Sequence, residues 1–219
     1  MPPNRRRTLD RATVIEAALA LADEAGLEGL SMRRLGQRLG VEAMSLYNHV
    51  DGKDDVVGAI IELVWAQVPP PVPGEPWRES IRAHAVGLHL AFLRHPWACQ
   101  FFPASIGPAR LAAMDGVLGA LRADGFSAGA AYHAHHVLDA HVIGYTQQMI
   151  GFSPPDLTGP DGVEQDPRDF VQAIGGALPY LVEHIEMHAR EGELGSDSGF
   201  EFGLDLILDG LGRMRAEGR

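Results

Sequence analysis

The stretch SMRRLGQRLGVEAMSLYNHVDGK, Ser31–Lys53, constrains this chain more than any other. Two short helical patterns meet at Gly40-Val41, and the spacing leaves room only for a sharp reversal between them. Ser31 is suited to cap the first helix, because its hydroxyl can accept from the free N–H groups of the opening turn; Met32, Leu35 and Leu39 then recur at helical spacing. Gly40 can adopt the left-handed backbone that the reversal needs, and Val41 is expected to turn back into the core between the helices. Val41, Leu46 and Val50 hold the second helix down. Ala43, Met44, Ser45, Tyr47, Asn48 and His49 are left outward, a set suited to a surface and not to a core. The pattern is a helix-turn-helix.

Charge bears on what such a surface could meet. The 219-residue chain carries a formal net charge of −11, which on average disfavours nucleic acid. The distribution is uneven: eight Lys and Arg stand against ten acids up to Trp65, and ten against nineteen beyond it. The basic residues of the first part gather at Arg5–Arg7 and around the two short helices. Lys53 opens the next helix, beside Asp54 and Asp55. Acids suit that position and a cation does not, unless something negative lies near; a phosphate would satisfy both the lysine and the free N–H groups, the alternative being a solvated lysine.

Met1–Arg7 is expected to be a disordered basic arm, lying along a phosphate backbone or simply solvated. Asp10 caps a first helix to about Ala25, with Gly26 its stop. Pro69–Pro71, Pro73 and Gly74 mark a connection, so the reading divides the chain into a three-helix reader at 1–68 and an all-helical body at 69–219. Helices are expected over Trp77–Arg94, Trp97–Phe102, Pro108–Ala123, Ala128–Ile150, Phe170–Arg190 and Phe200–Arg215, with Gly151–Arg168 a mobile loop. In the last helix Phe200, Leu204, Ile207, Leu208 and Leu211 make more apolar stripe than one small bundle needs, so part of it is expected to face a second copy, core packing being the alternative. No apolar run approaches the ~20 residues of a membrane span, and no signal peptide opens the chain, which leads to a cytoplasmic expectation. Cys99 is expected to be a small buried apolar residue.

GLEGLSMRRLGQRLGVEAMSLYNHVDGKDDV resembles the DNA-binding domain of the tetracycline-repressor (TetR) family of bacterial transcriptional repressors. The short-helix pair, the LGV turn, the LYxHV ending and the GKxD start of the next helix fall in order without gaps. The resemblance implies a homodimer whose N-terminal domains read two half-sites of a palindromic operator in double-stranded DNA. It also implies C-terminal domains that dimerise through a four-helix bundle and release DNA when a small molecule binds. By the same resemblance Ala43, Met44, Ser45 and Asn48 face bases, Tyr47, His49 and Lys53 meet phosphates, and Arg33 reaches a guanine edge, where its fork suits O6 and N7. Asn48 stands where the tetracycline repressor has a tryptophan, and Ala43-Met44 where it has Gln-Pro, so the operator preference is this chain's own.

An apolar pocket within the body is the expected effector site, for a largely apolar small molecule. Candidates on the inner helices are His89, Phe92, Trp97, Phe101, Tyr132, His136, Tyr145 and Met149, each of which could equally be core. No cofactor is called for. The histidines of YHAHHVLDAH raise a second reading, a helical metal-dependent enzyme: His135 and Asp139 share one helix face, as do His133 and His136. Neither pair is a full ligand set, and the chain has no GxSxG, P-loop or dinucleotide fingerprint. A DNA-binding protein without an effector is the third reading; a solvent-connected cavity of several hundred cubic ångströms would separate it from a sensor.

Overall fold

A computed structural model of the chain describes residues 9–101, 107–151, 171, 175–194 and 198–217, and among these every regular element is a helix. The Met1–Arg7 arm and residues 152–168 of the expected loop lie outside the described residues. The described residues form two compact units, 9–150 with 204–217, and residues within 151–203. No helix among them is long and apolar enough to cross a membrane.

Helix α1 (Arg11–Gly29) opens on Asp10, whose carboxylate accepts from the Thr13 N–H at 2.8 Å. Gly26 leaves helical geometry (φ 65°, ψ 174°), so the expected stop is a break, after which one more turn runs to Gly29. α2 (Met32–Leu39) begins as its sequence implies, with Ser31 Oγ accepting from the Arg34 N–H at 3.3 Å. It ends on Gly40 in the left-handed region (φ 69°, ψ 31°), where the N–H groups of Gly40 and Val41 bond back to the carbonyls of Gln37 and Gly36.

α3 (Ala43–Leu46) is shorter than the sequence suggests: one turn of helix, continued through Tyr47–His49 by turns that bond to Ser45 and Leu46. Of the residues expected to hold α2 and α3 down, Leu35 and Leu46 are fully enclosed and Val50 nearly so, whereas Met32, Leu39 and Val41 are only half-buried. Tight approach replaces their bulk. A Cβ on Gly36 would lie 2.9 Å from the Val41 carbonyl oxygen and 3.2 Å from the Ala43 nitrogen, so α3 can rest on α2 only where that position is glycine.

α4 (Lys53–Ala66) starts after Gly52 (φ 130°) and buries Val56, Ile60, Ile61, Val64 and Trp65, packing on α1 at one end. Beyond the prolines come α5 (Trp77–Arg94), α6 (Pro96–Cys99), α7 (Pro108–Ala123) and α8 (Ala128–Gly151). α6 begins one residue earlier than expected, at Pro96, whose fixed backbone suits a helix start, and ends at Cys99; Phe102 of the expected helix lies outside the described residues. Cys99 is buried, as expected. α4, α5 and α7 pack together. The Glu62 carboxylate accepts from the Ala109 N–H and so satisfies a free donor at the start of α7.

Of the helix expected over Phe170–Arg190, residues 170 and 172–174 lie outside the described residues; the described part is interrupted at 176–178, and α9 (Pro179–Leu194) begins at a proline suited to a helix start. It leaves Tyr180, Leu181 and Met187 exposed. α10 (Ser198–Ala216) corrects an expectation about its stripe. Phe200, Leu204, Leu208 and Leu211 are buried within the chain and Ile207 is half-buried, so this face is core; the apolar residues turned outward are Phe202 and Leu206. Arg78–Asp209 (2.5 Å) and Arg82–Asp205 (3.2 Å) fix α10 to α5, and Arg215–Asp124 (2.8 Å) fixes it to the end of α7.

Gly36→Ala should cost about 1–3 kcal/mol, because the methyl group meets backbone that cannot rotate away. Gly58→Ala on α4, where nothing lies within 4 Å, should instead gain roughly 0.5–1 kcal/mol through helix propensity. Urea denaturation of the two variants should move their midpoints in opposite directions.

Candidate DNA interface and ligand cleft

The outward face of α3 keeps its expected residues at the surface. Met44 is 75% exposed and Tyr47 48%; Asn48 is exposed, while Ala43, Ser45 and His49 are half-buried. The neighbouring cations divide into two kinds. Arg11 makes a two-pronged bond to Asp55 at 2.6 Å and also donates to the His49 carbonyl at 3.3 Å. Arg38 grips Glu24 at 2.7 Å, and Arg34 donates to the Gly29 carbonyl at 2.7 Å. Arg33 has no such partner among the described residues and points to solvent from α2. Lys53 is exposed at the start of α4, with one long contact, 3.4 Å, to the Leu27 carbonyl. That contact partly answers the misplaced charge noted in the sequence, since a carbonyl oxygen supplies some of the negative partner the lysine lacks.

A narrow cleft opens in the body. Three helices line it with one repeated spacing, i, i+3, i+4, i+7: Ile81, His84, Ala85 and Leu88 from α5; Arg110, Ala113, Met114 and Val117 from α7; His135, Leu138, Asp139 and Val142 from α8. Trp65 of α4 completes the wall, with the Arg110 guanidinium carbon 5.8 Å from its ring centre. The cavity itself is small, about 30 Å³, room for one or two water molecules. Its polar groups are strongly affected by burial. Burial holds the imidazoles of His84 and His135 below the ordinary histidine range and pushes the Asp139 carboxyl above its own.

None of the eight pocket residues expected from the sequence lines this cleft. Phe92 is fully buried and packs edge-on against Trp65 with ring centres 5.7 Å apart, one layer behind the wall. His89 donates from Nδ1 to Thr146 Oγ1 at 2.7 Å, and the threonine hydroxyl donates in turn to the Val142 carbonyl, so it is a satisfied core histidine. Tyr145 is half-buried with its ring against His89, and Phe101 is half-buried just past α6. Trp97 donates from Nε1 to Asp23 Oδ1 at 2.8 Å; His95 Nδ1 meets the same oxygen at 2.7 Å, while its Nε2 meets Gln67 Nε2 at 2.9 Å. Trp97 therefore ties α6 to α1 instead of facing a ligand. Tyr132 (58% exposed), His136 and Met149 (45%) sit on the outer face of α8. The aromatic content that singled out these residues serves core and surface alike. The recurrence of one spacing on three helices was the available signal for the cleft.

His135 and Asp139 do come together, with Nε2 to Oδ2 at 3.4 Å, while His133 and His136 lie exposed against the Tyr132 ring. Among the described residues no group of three or more His, Cys, Asp or Glu side chains is placed to hold a metal ion.

A helix-turn-helix with an outward short helix, joined through α4 to a helical body with a cleft, is the architecture of a DNA-binding transcriptional regulator. Residues 14–60 match the family described as "Bacterial regulatory proteins, tetR family", and residues 70–215 match "Tetracyclin repressor-like, C-terminal domain". The chain belongs to the TetR family of transcriptional regulators, which is not a family of enzymes. It is 32% identical to the HTH-type transcriptional repressor DrrR1 of Streptomyces coeruleorubidus, covering 99% of this chain and 82% of that one. A possible TetR family regulator from Streptomyces coelicolor A3(2) superposes with a TM-score of 0.68 at 31% identity, covering 94% of this chain and 100% of that one. The Streptomyces coelicolor protein ActR in complex with actinorhodin gives a TM-score of 0.67 at 26% identity, covering 94% and 96%.

The Arg11–Asp55 pair yields a pH prediction. Hydrogen bonds from Arg11, then from the Asp51 N–H, hold the Asp55 carboxyl down at about 2. An unfolded aspartate titrates near ~3.9, so the stabilisation is present above about pH 4 and is lost as pH falls toward 2. Asp55→Asn should flatten the fall of the melting temperature across that window, as followed by circular dichroism.

Proposed function

We propose that the chain acts as a cytoplasmic homodimer, with residues 1–68 as reader and 69–219 as effector-binding and dimerisation body, and that it occupies a palindromic operator until a small molecule enters the cleft. The observation that carries the DNA half is the division of cations. Arg11, Arg34 and Arg38 are consumed in holding the reader together, whereas Arg33 stays at the surface beside the exposed face of α3. In this reading Ala43, Met44, Ser45 and Asn48 meet base edges and Arg33 reaches a guanine, with Tyr47, His49 and Lys53 on phosphates. Outward apolar residues on α8 (Tyr132, Val137) and α10 (Leu206) support pairing with a second copy.

Release follows from α4. Trp65 forms part of the cleft wall, Glu62 caps α7, and the other end of the same helix opens directly after α3. A molecule larger than the present space must push α7 or Trp65 outward, which displaces the rod that carries the reader. The co-structure of ActR with actinorhodin supports placing an effector in such a body.

Selection of bound DNA from a random pool tests the reading: the expected outcome is an enriched palindrome with half-site centres about one helical turn, or a multiple of it, apart. No enrichment contradicts it. On the selected site, Arg33→Ala and Tyr47→Ala should each weaken binding by roughly ten- to a hundredfold at fixed salt, about 1–3 kcal/mol, with helix content unchanged. Unaltered affinity removes that residue from the interface.

A further inference from the structure

The four buried histidines of the described residues differ in one respect. His84 spends Nδ1 on the Pro69 carbonyl at 2.9 Å, His89 on Thr146 at 2.7 Å and His95 on Asp23 at 2.7 Å. His135 is equally enclosed, at 8% exposure, yet its Nδ1 is buried with no hydrogen-bond partner among the described residues. It lies in the wall of the cleft. Native proteins rarely leave a buried polar atom unpaired, and those that do commonly have a use for it.

Which way that nitrogen functions follows from its neighbour. His135 Nε2 lies 3.4 Å from Asp139 Oδ2. Burial disfavours the charged imidazole, so the ring carries one N–H, and a bare Nε2 lone pair facing a carboxylate would be repelled. With Asp139 ionised, the single ring proton faces it from Nε2, and Nδ1 is left as an acceptor. Leu88, Val117, Leu138 and Val142 supply an apolar part of the wall, and His84, Arg110 and Asp139 its polar groups.

We propose that the effector is a largely apolar molecule bearing a hydroxyl or N–H donor, and that His135 Nδ1 accepts that hydrogen bond. This rests on the reading of the cleft as the effector site. An otherwise identical molecule with only an ether or carbonyl at that position leaves Nδ1 unpaired and buried under the ligand, so the cleft holds it more weakly. Sites built to pair a polar group discriminate strongly against analogues that lack it.

Calorimetric titration of the full-length protein tests this with matched probes: 1-naphthol against 1-methoxynaphthalene, and 9-phenanthrol against 9-methoxyphenanthrene. The hydroxylated member of each pair should bind about tenfold or more tightly than its ether. His135→Leu should erase the preference while leaving the ether's affinity in place, and His135→Asn, whose amide oxygen lies close to the Nδ1 position, should restore part of it. Equal binding within both pairs, abolished for all four probes by the cleft-filling Ala113→Phe, overturns the donor proposal while the cleft remains the site. Binding that Ala113→Phe leaves untouched, or no binding at all, overturns the cleft reading and the proposal with it.

Discussion

Everything in the larger unit depends on α4 being buried along both of its working faces. Val56, Ile60 and Val64 are enclosed to within 1% exposure and hold its length in place, while Glu62 and Trp65 turn toward α7 and the cleft. Protein interiors are packed as densely as organic crystals, so a helix seated in this way does not absorb a displacement by local compression. It moves as a body or not at all. The start of this helix follows α3 after a turn held by Gly52, so the position of the DNA-facing surface is set by the same packing that shapes the ligand wall.

Electrostatics explain how an acidic chain can carry such a surface. Most of the reader's described guanidinium groups are committed to carboxylates and carbonyls within the fold, where they join α1 to α2 and α4. Such exposed pairs add little stability each, but they fix geometry and neutralise acids that would otherwise face the phosphates. Among the described residues of the reader, Arg33 has no such carboxylate or carbonyl partner and Lys53 has one long carbonyl contact.

The cleft shows the complementary situation, with polar groups enclosed by apolar side chains. Burial keeps His84 and His135 uncharged and resists ionisation of Asp139. Each such group is costly unless paired, and among the described residues all but one of the buried histidines meet that requirement within the protein. So little space is left in the cleft that its three lining helices are held close together.

The reader was legible in the sequence because its signals are local. Asp10 and Ser31 as caps and Gly40 as the left-handed turn depend on neighbours within a few residues, and the structure places them as their chemistry requires; of the outward set, Met44, Tyr47 and Asn48 are exposed and Ala43, Ser45 and His49 half-buried. Gly36 was not read, because its necessity comes from the backbone of Val41 crossing it and not from any pattern within α2. The surroundings of the side chains expected in the effector pocket are set in the same way, at larger scale. Aromatic and histidine content drew attention to Phe92, His89 and Trp97, yet whether a side chain on a helix faces a neighbour, a cavity or solvent is decided by which helices pack against it. The sequence by itself determined the all-helical class, the DNA-reading motif and the family. Only the tertiary structure decided which arginines remain outward, that the stripe on α10 is core, and that His135 lies beside Asp139 with an acceptor unspent, because each follows from contacts between segments far apart in the chain.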